Sequence, residues 1–158
     1  MSNSFGMKSA RDCLEDFRRK VVRYRADDLN ESLALDCAMA GWSLVDWVFD
    51  EYVREDNWSN TRRSKELLSF KQHLKRDCPS LDLLQDIATA RKHRREENYG
   101  KTVQEARSHS GGFSSGFSRG FNISRLIIVT ADREFDFEDT VVATLDCWDR
   151  YFDREGLA

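Results

Sequence analysis

Proline is almost absent from this chain, which contains a single one, Pro79, among 158 residues. Proline interrupts helices, and chains rich in irregular loops normally contain several prolines, so this scarcity favours long helices. No apolar run approaches the roughly 20 residues of a membrane span, and no secretory signal peptide opens the sequence. We therefore expect a cytoplasmic protein with no membrane-spanning segment.

Recognisable reactive and metal-binding motifs are also lacking. The cysteines lie far apart and form no CxxC pair, which favours reduced thiols, at Cys13, Cys37, Cys78 and Cys147. A metal site built on Cys78, His73 and a third ligand has no support from the usual ligand spacings. The three histidines are too scattered to nominate a nucleophilic triad. We predict no metal and no cofactor, and the sequence leaves open whether the chain is an enzyme.

Charge is plentiful but unevenly distributed. The net charge is only -3, yet segment 61–125 carries 14 Lys and Arg against 7 Asp and Glu. Segment 132–158 carries 9 acidic residues against 3 Arg. The basic middle predicts an anionic partner, either RNA or another protein. The alternative is that the two oppositely charged segments simply lie beside each other in the fold.

Hydrophobic periodicity predicts four helices within residues 8–97, over 8–25, 29–54, 61–77 and 81–95. The second is the most apolar and belongs at the centre of the bundle, while the third has a strongly basic outer face. Gly41 lies inside the second helix, where glycine is unfavourable by on the order of 1 kcal/mol relative to alanine. We expect it to let a neighbouring helix or tryptophan approach closely.

The character of the chain changes after residue 98. Residues 98–121 are rich in Gly, Ser and Phe, and we predict that they form a loop. Alternatively, the Phe rings of this segment stack on nucleobases. A β-branched run predicts a hairpin over 122–138, and Asp139 is the expected N-cap of a final helix over 139–156. We therefore predict that residues 1–158 form one mainly α domain, a bundle of about five helices with a small β-hairpin inserted before the last helix.

The fourth predicted helix carries candidates for chemistry. Asp86, Thr89 and His93 lie on one side of it, opposite its apolar residues. A carboxylate, a hydroxyl and an imidazole in line can bind a polar ligand or transfer a proton, but they can equally form a solvated face. Asp46, in the central helix, needs a partner if it is buried. Lys92 or His93 is a candidate partner; the alternative is that Asp46 lies on an exposed strip. The candidate catalytic set is Asp46, Asp86, Lys92 and His93.

Cations crowd the end of that helix. Positive charge is favourable near a helix C-terminus, which accounts for some of them. Four cations in five residues exceed that requirement and suggest an anionic, phosphate-like ligand. The candidate anion-binding residues are Arg91, Arg94 and Arg95.

Two segments resemble a family of uncharacterised bacterial and phage proteins, which has an Asp-x-Ala-Asn-x-x-Lys-His helix and an upstream His-Leu-x-Asp-Trp helix. Here they read Asp86-Ile87-Ala88-Thr89-Ala90-Arg91-Lys92-His93 and Ser43-Leu44-Val45-Asp46-Trp47. Thr89 replaces the family's Asn and Ser43 its frequent His, so chemistry that depends on those two residues would be lost. The family in turn resembles the HEPN class of helical domains, many of which are RNases of toxin and phage-defence systems. Those RNases have an Arg five to seven residues before a His, and this chain has none at that distance.

Two functions follow as expectations. The first is a non-enzymatic binding or interaction module of bacterial or mobile-element type, which uses its basic middle against an anionic partner. The alternative, implied by the resemblance, is a HEPN-like RNase or toxin component centred on the four candidate catalytic residues. We also expect homodimerisation through an apolar helix face as one mode of association.

Overall fold

The computed structural model describes residues 6–92, 103–109 and 125–158. Its helices are α1 (Ala10–Ala26), α2 (Glu31–Val48), α3 (Asn60–Asp77), α4 (Ser80–Lys92) and α5 (Phe137–Glu155), and a π-helical turn, Phe49–Val53, continues α2. The strands are β1 (Val103–His109), β2 (Arg125–Thr130) and β3 (Glu134–Asp136). The predicted class is confirmed: five α-helices form the bulk of the fold, and the strands precede the last helix.

Side chains next to the helix ends set where the helices begin. At the start of α1, Ser9 accepts a hydrogen bond from the Asp12 amide, and the Asp12 carboxylate accepts one from the Ser9 amide. This reciprocal capping box satisfies two amides that would otherwise lack helical partners. The N-cap of α5 is Asp136, which accepts from the Asp139 amide at 3.3 Å. The prediction of Asp139 as this cap is therefore wrong, because β3 ends at Asp136, two residues before the predicted end of the hairpin, and the helix begins at Phe137.

The strands form one antiparallel sheet in the order β1-β2-β3. The predicted hairpin corresponds to β2 and β3, with Ile128 opposite Phe135. The third strand, β1, falls inside the segment predicted as a loop, and it pairs with β2 through Ala106 opposite Ile128. The polar sequence of β1 has no apolar alternation, so its extended conformation depends on pairing with β2 rather than on its own pattern. The remainder of the predicted loop lies outside the described residues.

Helix α2 lies at the centre of the bundle, where Leu44, Val45 and Val48 are fully buried. A Cβ added at Gly41 would lie 2.7 Å from Leu84 Cδ2 and 2.9 Å from Phe17 Cζ, closer than such atoms approach. Trp148 Nε1 also donates to the Gly41 carbonyl oxygen at 3.1 Å. The expectation that Gly41 permits close approach by a helix and a tryptophan is confirmed.

Helix α2 and the π-helical turn together form a 23-residue segment, Glu31–Val53, with a mean hydropathy of 1.2 over its most apolar window. By length and composition it could cross a membrane, a requirement that no segment was expected to meet. Such a composition is also typical of the central helix of a bundle. Its buried residues pack here against α1, α4 and α5. Cytoplasmic localisation stays a prediction.

Candidate anion-binding face

Helix α3 lies at the periphery of the bundle and is anchored along one side only. Leu74 is its buried residue. The half-buried ring of Phe70 lies 5.7 Å from the ring of Phe49 and 6.4 Å from that of Tyr151, measured between centroids. Since a single apolar stripe faces the bundle, most of the helix circumference is open to solvent.

The cations at the edges of this packed side are neutralised by neighbouring elements. Their partners are carboxylates of α2, the π-helical turn and α4: Lys71 pairs with Asp46 at 3.0 Å, Arg63 with Asp50 at 2.8 Å and Lys75 with Asp82 at 2.7 Å. The ammonium groups of Lys71 and Lys75 also lie 5.3 and 5.5 Å from the centroid of the Trp42 ring. Partly exposed pairs of this kind contribute little energy individually. Together with the cation–π contacts, they fix how α3 is rotated against the bundle.

The opposite side of α3 carries three exposed cations, Arg62, Lys65 and Arg76. At 100° per residue their side chains fall within an arc of about 60°, with the exposed polar side chains of Ser69 and Gln72 between them. We call these five residues the outer face of α3. No carboxylate within the described ranges forms an ion pair with any of its three cations.

The contacts that the outer-face cations do make leave their charge uncompensated. The Arg62 guanidinium lies 4.9 Å from the centroid of the Trp58 ring. Arg76 Nη2 lies 3.2 Å from His73 Nδ1, within hydrogen-bond distance. Neither contact supplies a full negative charge. The outer face therefore presents localised positive charge on a protein whose net charge is -3.

The predicted site residue Asp46 does not lie in a buried polar centre. Its side chain is 52% exposed and its ion-pair partner is Lys71 of α3. The exposed-strip alternative is therefore correct, and Asp46 has no need of a buried cation. Its carboxylate holds α3 in place, a role that the sequence did not indicate.

The remaining candidates lie on α4 or beyond it. Asp86 and Thr89 are half-buried, and Asp86 forms no ion pair with another described side chain. Helix α4 ends at Lys92, so His93, Arg94 and Arg95 lie outside the described residues, as do the side chains of Arg91 and Lys92. The catalytic set and the anion-binding set of this helix end stay predictions.

Ion pairs within the fold account for part of the charge asymmetry between the basic middle and the acidic end of the chain. Two arginines of the basic middle pair with the acidic end of the chain across the sheet, Arg107 with Glu134 and, at 3.5 Å, Arg125 with Asp136. The alternative that oppositely charged segments lie together is thus correct for the sheet but not for the outer face of α3. The basic outer face of this helix was expected from the sequence. Which of its cations are unpaired depends on packing and could not be predicted from the sequence.

No group of three or more His, Cys, Asp or Glu side chains in the described part of the chain is arranged to hold a metal ion. Comparison with known proteins finds no matching family model, no similar curated protein and no similar solved structure. The resemblance to the phage and HEPN-like families therefore stays a prediction based on its two short motifs.

Proposed function

We propose that this protein is a non-enzymatic binding module that holds the sugar–phosphate backbone of single-stranded RNA on the outer face of α3. The observation that carries the proposal is the contrast between the two sides of one helix. The cations on the packed side each have a carboxylate partner, whereas Arg62, Lys65 and Arg76 have none among the described residues. Unpaired, aligned and exposed cations attract an extended anion.

The length of the outer face suits a polyanion better than a small ligand. Arg62 and Arg76 are 14 positions apart, which corresponds to about 21 Å along a helix with a rise of 1.5 Å per residue. A free phosphate or a mononucleotide cannot reach both ends of this distance. A strand of several nucleotides can contact all three cations at once.

The side chains that lie between the outer-face cations favour RNA over an acidic protein as the partner. Ser69 and Gln72 are short hydrogen-bonding side chains of the kind that, with Arg and Lys, contact phosphate and sugar oxygens. Stable protein interfaces instead have a buried apolar or aromatic centre. The only large hydrophobic side chain that is exposed on α3 is Leu68, at 58%, which is too little apolar surface for such a centre.

The proposal is tested by fluorescence anisotropy with a labelled single-stranded RNA at low salt. The double variant Lys65→Glu/Arg76→Glu should bind at least tenfold more weakly, because two attractive contacts become repulsive. The pair of reversals Lys8→Glu/Arg23→Glu is the matched control, since it makes the same change in net charge and both residues are exposed and form no ion pair with a described carboxylate. It should retain the affinity of the unaltered protein. Equal loss in the control and the double variant would mean that only net charge matters and would overturn the assigned face.

An acidic peptide such as poly-glutamate is the competing ligand in the same assay. If it binds more tightly than RNA and depends on the same two residues, the partner is an acidic protein and the RNA assignment is wrong. Gel electrophoresis of the recovered RNA distinguishes binding without cleavage from the enzymatic alternative. Intact RNA is expected, whereas cleavage that is lost in His93→Ala would favour the RNase hypothesis.

A further inference from the structure

Four thiols are present, but they differ in access. Cys13, Cys37 and Cys78 are buried, whereas Cys147 is half-buried on α5. Burial raises the pKa of Cys13 and of Cys37 to about 12, so both remain protonated fillers of the core. Cys147 is therefore the most accessible of the four thiols.

Cys78 and Cys147 meet at one cleft although they are far apart in sequence. Cys78 is the C-cap of α3, and its amide donates to the Leu74 carbonyl oxygen at 2.8 Å. A cleft of about 70 Å³ is lined by both cysteines together with Asp77, Arg150 and Arg154, among others. The packing of α4 against α5 thus places a buried thiol behind a partly exposed one.

A chain of hydrogen bonds holds the buried thiol. Thr144 Oγ1 donates to the Thr140 carbonyl oxygen at 2.9 Å, so its bond of 2.7 Å with Ser80 is one in which Ser80 donates. Ser80 Oγ lies 3.2 Å from Cys78 Sγ and, with its own proton engaged, accepts from the thiol. Burial and the neighbouring Cys147 thiol raise the pKa of Cys78 to about 12. Cys78 is held as a protonated thiol that points towards α5.

The exposed member of the pair has a cation beside it. Arg150 Nη2 donates to Cys147 Sγ at 3.5 Å, so the guanidinium lies directly beside the partly exposed sulfur. Arg150 forms no ion pair with the carboxylates that the structure describes. Its charge is thus free to attract an anionic oxidant to the mouth of the cleft.

We propose that Cys147 and Cys78 form a reversible thiol–disulfide site whose oxidant is a small anionic disulfide of the oxidised-glutathione class. The Cys147 thiolate attacks one sulfur of that disulfide, a mixed disulfide forms on Cys147, and the first small thiolate leaves. The Cys78 sulfur then attacks the Cys147 sulfur, its proton passes to the second leaving thiolate, and the Cys78–Cys147 bond forms. The protein loses two hydrogens and two electrons, and the small disulfide becomes two thiols.

The pair has the division of roles that such chemistry requires. An accessible thiol with a nearby cation reacts first, and a shielded thiol next to it resolves the intermediate. A reversible bond of this type is compatible with a reducing compartment, where disulfides are transient. Closing the bond ties the C-terminal end of α3 to α5, independently of whether the outer face of α3 binds RNA.

The test is incubation of the purified full chain with excess oxidised glutathione, followed by intact mass measurement and tryptic digestion without reduction. The expected result is a loss of two hydrogens and a linked pair of the peptides 77–91 and 134–150. Cys147→Ser should give neither the linked pair nor a mixed disulfide. Cys78→Ser should stop with one glutathione on Cys147, while Cys37→Ser, the buried control, should still form the linked pair.

Three results would overturn the proposal: a stable mixed disulfide on Cys147 of the unaltered chain, a link between other cysteines, or no oxidation under conditions that oxidise a model dithiol. Circular dichroism establishes that each variant is folded. Because Cys147 is half-buried, Cys147→Ser remains informative even if the buried Cys78→Ser variant does not fold.

Discussion

Replacement of Gly41 by alanine tests the packing at the centre of the bundle. The added methyl group would lie 2.7 Å from Leu84 Cδ2 and 2.9 Å from Phe17 Cζ. Both of these side chains are fully buried, so neither can move aside into solvent. The substitution therefore over-packs the core, although alanine is intrinsically the better helix former.

The expected change in the free energy of unfolding is the difference between two opposing effects. Over-packing a filled core destabilises by roughly 1–3 kcal/mol, and replacing a helical glycine by alanine stabilises by roughly 1 kcal/mol. We expect the free energy of unfolding of Gly41→Ala to fall by up to about 2 kcal/mol. For a chain of this length, each 1 kcal/mol lowers Tm by roughly 2–4 °C.

Chemical denaturation monitored by circular dichroism measures the change, and a double-mutant cycle assigns its cause. Leu84→Val removes the atom nearest to the new methyl group, so Gly41→Ala should cost less in that background than in the unaltered chain. Ser43→Ala, an exposed change in the same helix, is the control and should be close to neutral. A raised stability of Gly41→Ala, or an effect of the substitution that is the same with and without Leu84→Val, would refute the close approach.

Three further substitutions test other elements. Trp148→Phe removes the donor to the buried Gly41 carbonyl oxygen and should lower the free energy of unfolding by roughly 1–3 kcal/mol. Asp136→Ala removes the N-cap of α5 and should lower it by roughly 1 kcal/mol. Hydrogen bonds from the Lys8 and Ser9 N–H groups and from Ser9 Oγ lower the pKa of Asp12 below 3.8. Its contribution is therefore present above that value and lost as the pH falls, and the stability difference between pH 7 and pH 3 should shrink in Asp12→Asn.

Each of these three predictions has a result that would contradict it. Trp47→Phe changes a half-buried indole that has no hydrogen bond to a described residue, and an equal loss there would remove the special role of Trp148. Asp146→Ala takes an exposed carboxylate from the middle of α5 and should not destabilise. An unchanged pH dependence in Asp12→Asn would show that the capping box does not favour the ionised carboxylate.

The parts of the fold that could be predicted are those that local sequence determines. The helices were recognised because their apolar residues repeat every three or four positions, and Pro79 separates α3 from α4. Strand β1 was missed because a polar segment becomes a strand only through its partner, β2. The choice between Asp136 and Asp139 as cap depends on where β3 ends, which the sequence leaves open by a few residues.

The candidate site shows the same division between local and non-local information. The basic character of α3 is readable from its sequence, but the identity of its unpaired cations is not. That Lys71 contacts Asp46 depends on how two helices are rotated against each other. The same rotation leaves Lys65 and Arg76 facing solvent, and neither was singled out from the sequence.

The salt dependence of RNA binding tests the central claim most directly. Three phosphate contacts on a single strand give a slope of log affinity against log salt concentration of about -2, since each contact contributes about -0.7. We predict a slope near this value for the unaltered protein and for the charge-matched control Lys8→Glu/Arg23→Glu. Lys65→Glu/Arg76→Glu should bind weakly, with a slope no steeper than about -0.7. A double variant with the affinity and the slope of the unaltered protein would contradict the proposal that the outer face of α3 binds RNA.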